Sequence, residues 1–144
     1  MPTPMATQRL RVTFSALAAL AMATVLFGKP PTPQQALEYA KSVVLVKRVV
    51  QDNQIHAYVK EVWRFDTGAG APPPVGSEYG DAMPLDPRMQ YPERDGIVFW
   101  FGDDRPKGMP IMWRIPVMED GLVHPFDMDV DEVRAAVRRT NPKA

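Results

Sequence analysis

Carboxylates offer this chain its most direct route to chemistry. Asp103 and Asp104 are adjacent, with Glu93 and Asp95 a few residues upstream. Such a set can hold a divalent cation that activates a water, or divide acid and base roles between paired carboxyls. The reaction class to expect from Asp95, Asp103 and Asp104 is metal-assisted hydrolysis. The competing reading is that adjacent acids in a loop are simply solvated. A second acidic run, Asp127-Met128-Asp129-Val130-Asp131-Glu132, resembles the opening of a calcium loop. It fails at the sixth position, where the turn needs glycine and Glu132 stands, and at the twelfth, where Arg138 replaces the bidentate glutamate. Helix capping accounts for these acids better.

Other catalytic side chains are sparse. His56 and His124 are the only histidines, and neither has a partner at metal-ligand spacing. His124 is expected to share a face with Trp113, Ile115 and Phe126 as a half-buried structural residue. The three serines, Ser15, Ser42 and Ser77, lie in no GxSxG elbow. Cysteine is absent, which rules out a disulfide framework, a thiolate zinc site, an iron–sulfur cluster, a cysteine nucleophile and a lipid-anchored cysteine. No catalytic residue, metal or cofactor is assigned, and a non-enzymatic role is the leading expectation. The aromatics remain. Trp63, Tyr79, Tyr91 and Trp113 are the candidate ligand surface, since tryptophan and tyrosine favour binding sites. Against that, tryptophans on strands usually belong to the core.

Charge narrows the choice of partners. The 144-residue chain carries seventeen basic and seventeen acidic groups. Arg9 and Arg11 precede the first acid, Glu38, so from Lys29 onward the net charge is about −2. That balance lacks the positive field that drives nucleic-acid binding. Residues 12–27 (VTFSALAALAMATVLF) are uncharged and follow those two arginines. As a helix they would span about 24 Å, somewhat short of the ~30 Å hydrocarbon core. Ala21-Met22-Ala23 fits a small-x-small cleavage site, whereas Val25, Leu26 and Phe27 continue the apolar run past it. The segment therefore reads as a cleaved export signal or a retained anchor. In either case the positive-inside rule places the body outside the cytoplasm: periplasmic, secreted, or tethered to the inner membrane through residues 12–28. The expected partner is an envelope protein or a small ligand.

The elements that must position these residues follow from pattern. The divisions are a signal or anchor over 1–28, a proline-rich spacer over 29–33, a folded body over 34–140 and a tail over 141–144. Sixteen prolines argue for short strands and shaped loops. Thr32 caps and Pro33 opens a short helix to about Lys41, with Ala36, Leu37 and Ala40 facing the sheet. Residues 42–50 and 55–65 read as strands joined by a polar turn at 51–54, and the apolar phase changes between Val59 and Val62, which predicts a bulge. Residues 66–76, with the rod Pro72-Pro73-Pro74, form a loop, 77–82 a brief strand, and 84–95 another loop. Residues 96–102 (GIVFWFG) are apolar on both faces and predict a buried inner strand. Residues 111–118 and 122–126 flank Glu119-Asp120-Gly121 and predict a hairpin with Pro116 opposite Pro125. Asp129 caps a last helix from Val130 to Arg139, with acids in its first turn and arginines in its last.

This order of a short helix, SVVLVKRVV, a strand ending in EVWRF, GIVFWFG, a hairpin at EDG and a helix opening DVDEVRAAV resembles the small exported β-barrel domains of bacterial envelopes. Those domains have an OB-like or netrin-like sheet. The resemblance covers residues 34–139 and implies a mainly β domain with flanking helices (α+β), a small antiparallel barrel of five or six strands behind a hydrophobic N-terminal helix. Netrin-like inhibitors engage a protease metal through an N-terminal cysteine, and this chain has none, so that mechanism does not transfer. The function expected is an exported binding domain using the barrel mouth and loops 66–76 and 84–95. The alternatives are the metal-assisted hydrolase and a purely structural tethered domain.

Overall fold

The computed structural model describes residues 29–66, 70–89 and 91–143. Within them the elements run α1 (Pro33–Tyr39), β1 (Ser42–Gln51), β2 (Gln54–Arg64), β3 (Met83–Pro84), β4 (Gly96–Trp100), β5 (Met112–Pro116), β6 (Leu122–Val123), β7 (Met128–Asp129) and α2 (Val130–Arg139). The hydrophobic stretch 12–27 lies outside the described residues. No helix among the described residues is long and apolar enough to cross a membrane.

Five strands make one antiparallel sheet in the order β3-β2-β1-β4-β5, curled into half a barrel, while β6 and β7 form a separate two-stranded ribbon. Asp52 and Asn53 link β1 to β2 with φ of 54° and 60°, the type I′ geometry whose twist matches that of the flanking strands. Further along, Val44 pairs with Val62 and Val46 with Val59, so Trp63 and Lys60 are extra residues in β2. The phase change after Val59 is the second of these bulges. Each bulge bends its strand and raises the local twist, and two within four residues curl the sheet. The edges do not meet in a ladder. β3 has two residues, one of them Pro84, which has no N–H to give. The segment before β3 continues along β2 only intermittently: Tyr79 N donates to Ala57 O at 2.7 Å, and Tyr58 forms a bridge with Glu78.

Strand alternation splits the core in two. On one face Val43, Leu45, Ile97, Phe99 and Ile115 pack against Ala36 and Leu37 of α1 and Val133, Ala136 and Val137 of α2. Phe99 stacks with Phe126 at 5.7 Å between ring centres and lies 5.6 Å from Trp113. α1 starts where Thr32 accepts from Gln35 N and Gln35 returns a bond to Thr32 N, a capping box. α2 starts on Asp129, which accepts from Glu132 N. Both helices end at one side chain. Arg64 donates to Leu37 O and Ala40 O at the end of α1 and to Val137 O and Thr140 O at the end of α2, at 2.7–2.9 Å. The last carbonyls of a helix have no partner within it and carry its negative pole, so one half-buried guanidinium closes two helices.

The expected hairpin takes another form. Gly121 N donates to Met118 O and Met118 N to Leu122 O, so the turn forms, centred one residue earlier, on Glu119 and Asp120. The strands then part: β6 pairs with β7 rather than β5. Pro116 stands opposite Gly96 and not Pro125. His124 to Phe126 form a 3₁₀ turn, with Pro125 in its first turn and Asp127 at φ 53° closing it. Burial explains the departure. Val123 and Phe126 sink into the helix-covered core, leaving His124 exposed instead of half-buried.

Candidate functional site

Among the described residues no helix packs on the other face of the sheet. Val44, Val46, Val59 and Val98 are buried there beneath Ala57, Val62, Tyr79 and Met112. Beyond these valines the face opens into an apolar cavity of about 220 Å³, to which all five strands contribute. Across it Arg114 of β5 reaches the sulfur of Met83 of β3. Side chains from the two edge strands can meet only on the concave side, so the cavity is the trough of the half-barrel.

Two arginines stand at this trough. Arg48 follows Val44 and Val46 on β1, two steps along the same face. Its Nε donates to Arg94 O at 2.6 Å and its Nη2 to Tyr91 O at 2.9 Å, both in the loop before β4. Its stem passes beside Gly96, where a Cβ would lie in ordinary contact, 3.6 Å from Arg48 Nε. Burial, and then the positive charge of Arg114, push the Arg48 guanidinium down from its ordinary value, and Asp95 opposes them. Arg114 stands opposite Val98 in the β4–β5 ladder. Its side-chain bonds go to two thioethers, Met112 Sδ at 3.1 Å and Met83 Sδ, and thioethers are weak acceptors. Neither arginine has a carboxylate partner among the described residues. Asp81 lies on the rim, exposed. Burial also raises the Tyr79 phenol, with Arg114 pulling the other way.

The aromatics expected to form one ligand surface are dispersed. Trp63 is buried on the helix side, with the Arg134 guanidinium 5.4 Å from its ring. Trp113 packs on Phe99 and Phe126 on that same side. Tyr79 lines the trough. Tyr91 is exposed in the loop after β3, with Arg94 4.7 Å from its ring centre. The two tryptophans thus share the helix-covered face, while the tyrosines lie on the trough and in a loop.

The acids are separated as well. Asp95 precedes β4 and bonds Lys60 at 2.7 Å, whereas Asp103 and Asp104 follow its far end, where Asp104 pairs with Lys41. Five strand residues, roughly 17 Å, lie between them. Glu93 is exposed in the loop before β4. His56 Nδ1 lies 2.7 Å from Glu78, and Asp131 is bonded to Arg134 at 2.6 Å. No group of three or more His, Asp or Glu side chains among the described residues could hold a metal ion.

Composition and motif spacing pass over Arg48 and Arg114. One signal did exist: Lys47-Arg48 interrupts an otherwise β-branched strand, and alternation puts Arg48 on the same face as two valines. Arg114 joins it only through the pairing of β4 with β1 and β5. No protein family, curated protein or solved structure matches the chain.

Proposed function

We propose that this is an exported, non-enzymatic domain that binds a small ligand in the trough of its half-barrel. The observation that carries the reading is an apolar cavity that, among the described residues, has no helix over it and beside it two guanidiniums without carboxylate partners. Concave apolar pockets with a few convergent polar groups are the usual form of small-molecule sites. A concave trough of this size also favours a small ligand over a protein surface. The finer reading of the fold is an OB-like barrel left open between β3 and β5. The basic, then uncharged, residues 9–27 support placement outside the cytoplasm, released or tethered.

Two measurements test this. The neutral fluorophore N-phenyl-1-naphthylamine, titrated into the full chain, is expected to show saturable enhancement at one site. Ala57→Phe, which fills the trough, should abolish the enhancement while thermal unfolding stays cooperative. Absence of saturable enhancement in the parent chain ends the binding reading. For export, fractionation with N-terminal sequencing should recover either a chain starting at Thr24 outside the cytoplasm or an intact chain in the membrane. Recovery of the intact chain from the cytosol overturns it.

A further inference from the structure

The geometry points to a small monoanionic amphiphile as the ligand: an apolar body on Val46, Ala57 and Val98, with a single carboxylate at Arg48 and Arg114. This deepens the reading of the trough as a ligand site and rests on it.

Three observations set the chemistry. First, the floor is hydrocarbon. Val46 and Val98 are buried and Ala57 half-buried, and none presents a side-chain donor or acceptor. An apolar body displaces water from such a surface favourably, whereas a sugar or a peptide backbone would leave polar groups unmatched. Second, the polar groups beside the floor are cationic donors with unused capacity. A guanidinium has five N–H donors; Arg48 bonds Arg94 O and Tyr91 O through Nε and Nη2, which leaves the donors of Nη1 unused among the described residues. Among the described residues Arg114 is bonded only to sulfur. Planar guanidiniums match a carboxylate through paired N–H···O bonds. The half-buried Arg48 and the exposed Arg114 bring two like charges to one trough, where they repel one another, and an anion between them relieves that repulsion. Third, the charge count selects one negative charge. The trough is lined by two arginines and one aspartate, Asp81, a net charge of +1. Asp81 disfavours a dianion such as a phosphate monoester. The volume of about 220 Å³ lies below the roughly 300–1,000 Å³ of drug-sized sites, so the body is short.

Octanoate, octanol and octylammonium share one chain and differ in head charge. Each is titrated into the full chain, followed by the Val46 and Val98 methyl resonances and the Arg48 and Arg114 Nε–Hε resonances. Octanoate is expected to saturate the shifts and to bind at least about tenfold more tightly than octanol, as one charge-assisted pair would give. Arg114→Gln should cut octanoate affinity about tenfold and leave octanol unchanged, since no backbone group depends on that side chain. Asp81→Asn should raise octanoate affinity about threefold. If octanol and octanoate bind equally, the anion assignment is overturned while the trough still holds a ligand. Tighter octylammonium overturns it in the opposite sense, with Asp81 as the recognising group. If none of the three shifts a trough resonance and the neutral fluorophore also fails, the binding reading itself falls.

Discussion

Val43 and Leu45 face two helices; Val44 and Val46, one step along the same strand, face none among the described residues. On the helix side every large side chain meets another, from Phe99 and Phe126 to Val133 and Val137, and even the helix ends are closed, by Arg64. On the trough side four valines are covered by the side chains around them, and the margin carries guanidiniums bonded to backbone carbonyls and sulfur. A face that serves only stability would be expected to end in apolar or ion-paired groups, because a half-buried charge such as Arg48, with no carboxylate partner among the described residues, carries a desolvation cost. The contrast teaches that one layer of strands can separate the two tasks: folding is driven from one face, and the other is left available for recognition.

The contrast breaks first at the core. Phe99→Ala removes a fully buried ring from its cluster with Trp113 and Phe126 and should cost about 3–5 kcal/mol, measured by denaturant unfolding. If the loss stays near 1 kcal/mol, the helix-covered face is not the principal source of stability. Next comes Arg64→Met, which strips four carbonyls of their donor. About 3 kcal/mol is expected, with the last turns of α1 and α2 losing hydrogen-exchange protection before the sheet does.

Acid and alkali probe the two sides separately and should produce smaller changes. A side-chain hydrogen bond from Lys41 holds the Asp104 carboxyl below its ordinary value of 3.8. Its stabilising contribution is therefore present above pH ~4 and lost as pH falls through the lowered value. Lys41→Met should remove that part of the acid decline in melting temperature. On the trough side burial holds the Tyr79 phenol above 10.0. Its contribution is complete below pH ~10 and is lost as pH rises through the raised value, so Tyr79→Phe should flatten the alkaline decline. The smallest effect expected is that of Arg114→Gln on stability, within about 0.5 kcal/mol of the parent chain. A loss well above 1 kcal/mol would make Arg114 a structural group and remove the distinction between the faces.

Local signals in the sequence carried a good part of this architecture. Thr32-Pro33 and Asp129 marked both helix starts, since caps act within four residues of themselves. The two long strands and the bulge after Val59 were legible from apolar phase, and the strand expected over 96–102 from its continuous apolarity, although it ends at Trp100. The pairing of β6 was not legible. Its turn at Met118–Gly121 is local and was readable, but the partner of Leu122 depends on where Val123 and Phe126 find a cavity to fill. The candidate site was the least legible part. Trp63 and Trp113 were sought as a surface and lie on the covered face. The cation at 114 carries no local mark of sharing a cavity with Arg48, since sixty-six positions separate the two in sequence.

By itself, then, the sequence determined the class: short strands, two capped helices, no thiol chemistry, near-neutral charge and a basic, then uncharged, N-terminal segment outside the described residues. These rest on composition and on interactions a few residues long. Only the tertiary structure decided that no backbone ladder joins β3 to β5, that one arginine closes both helices, and that Arg48 and Arg114 share a trough. Each of these depends on the register between distant strands. A shift of one residue would turn every side chain of a strand to the opposite face, and that register is set by the core as a whole.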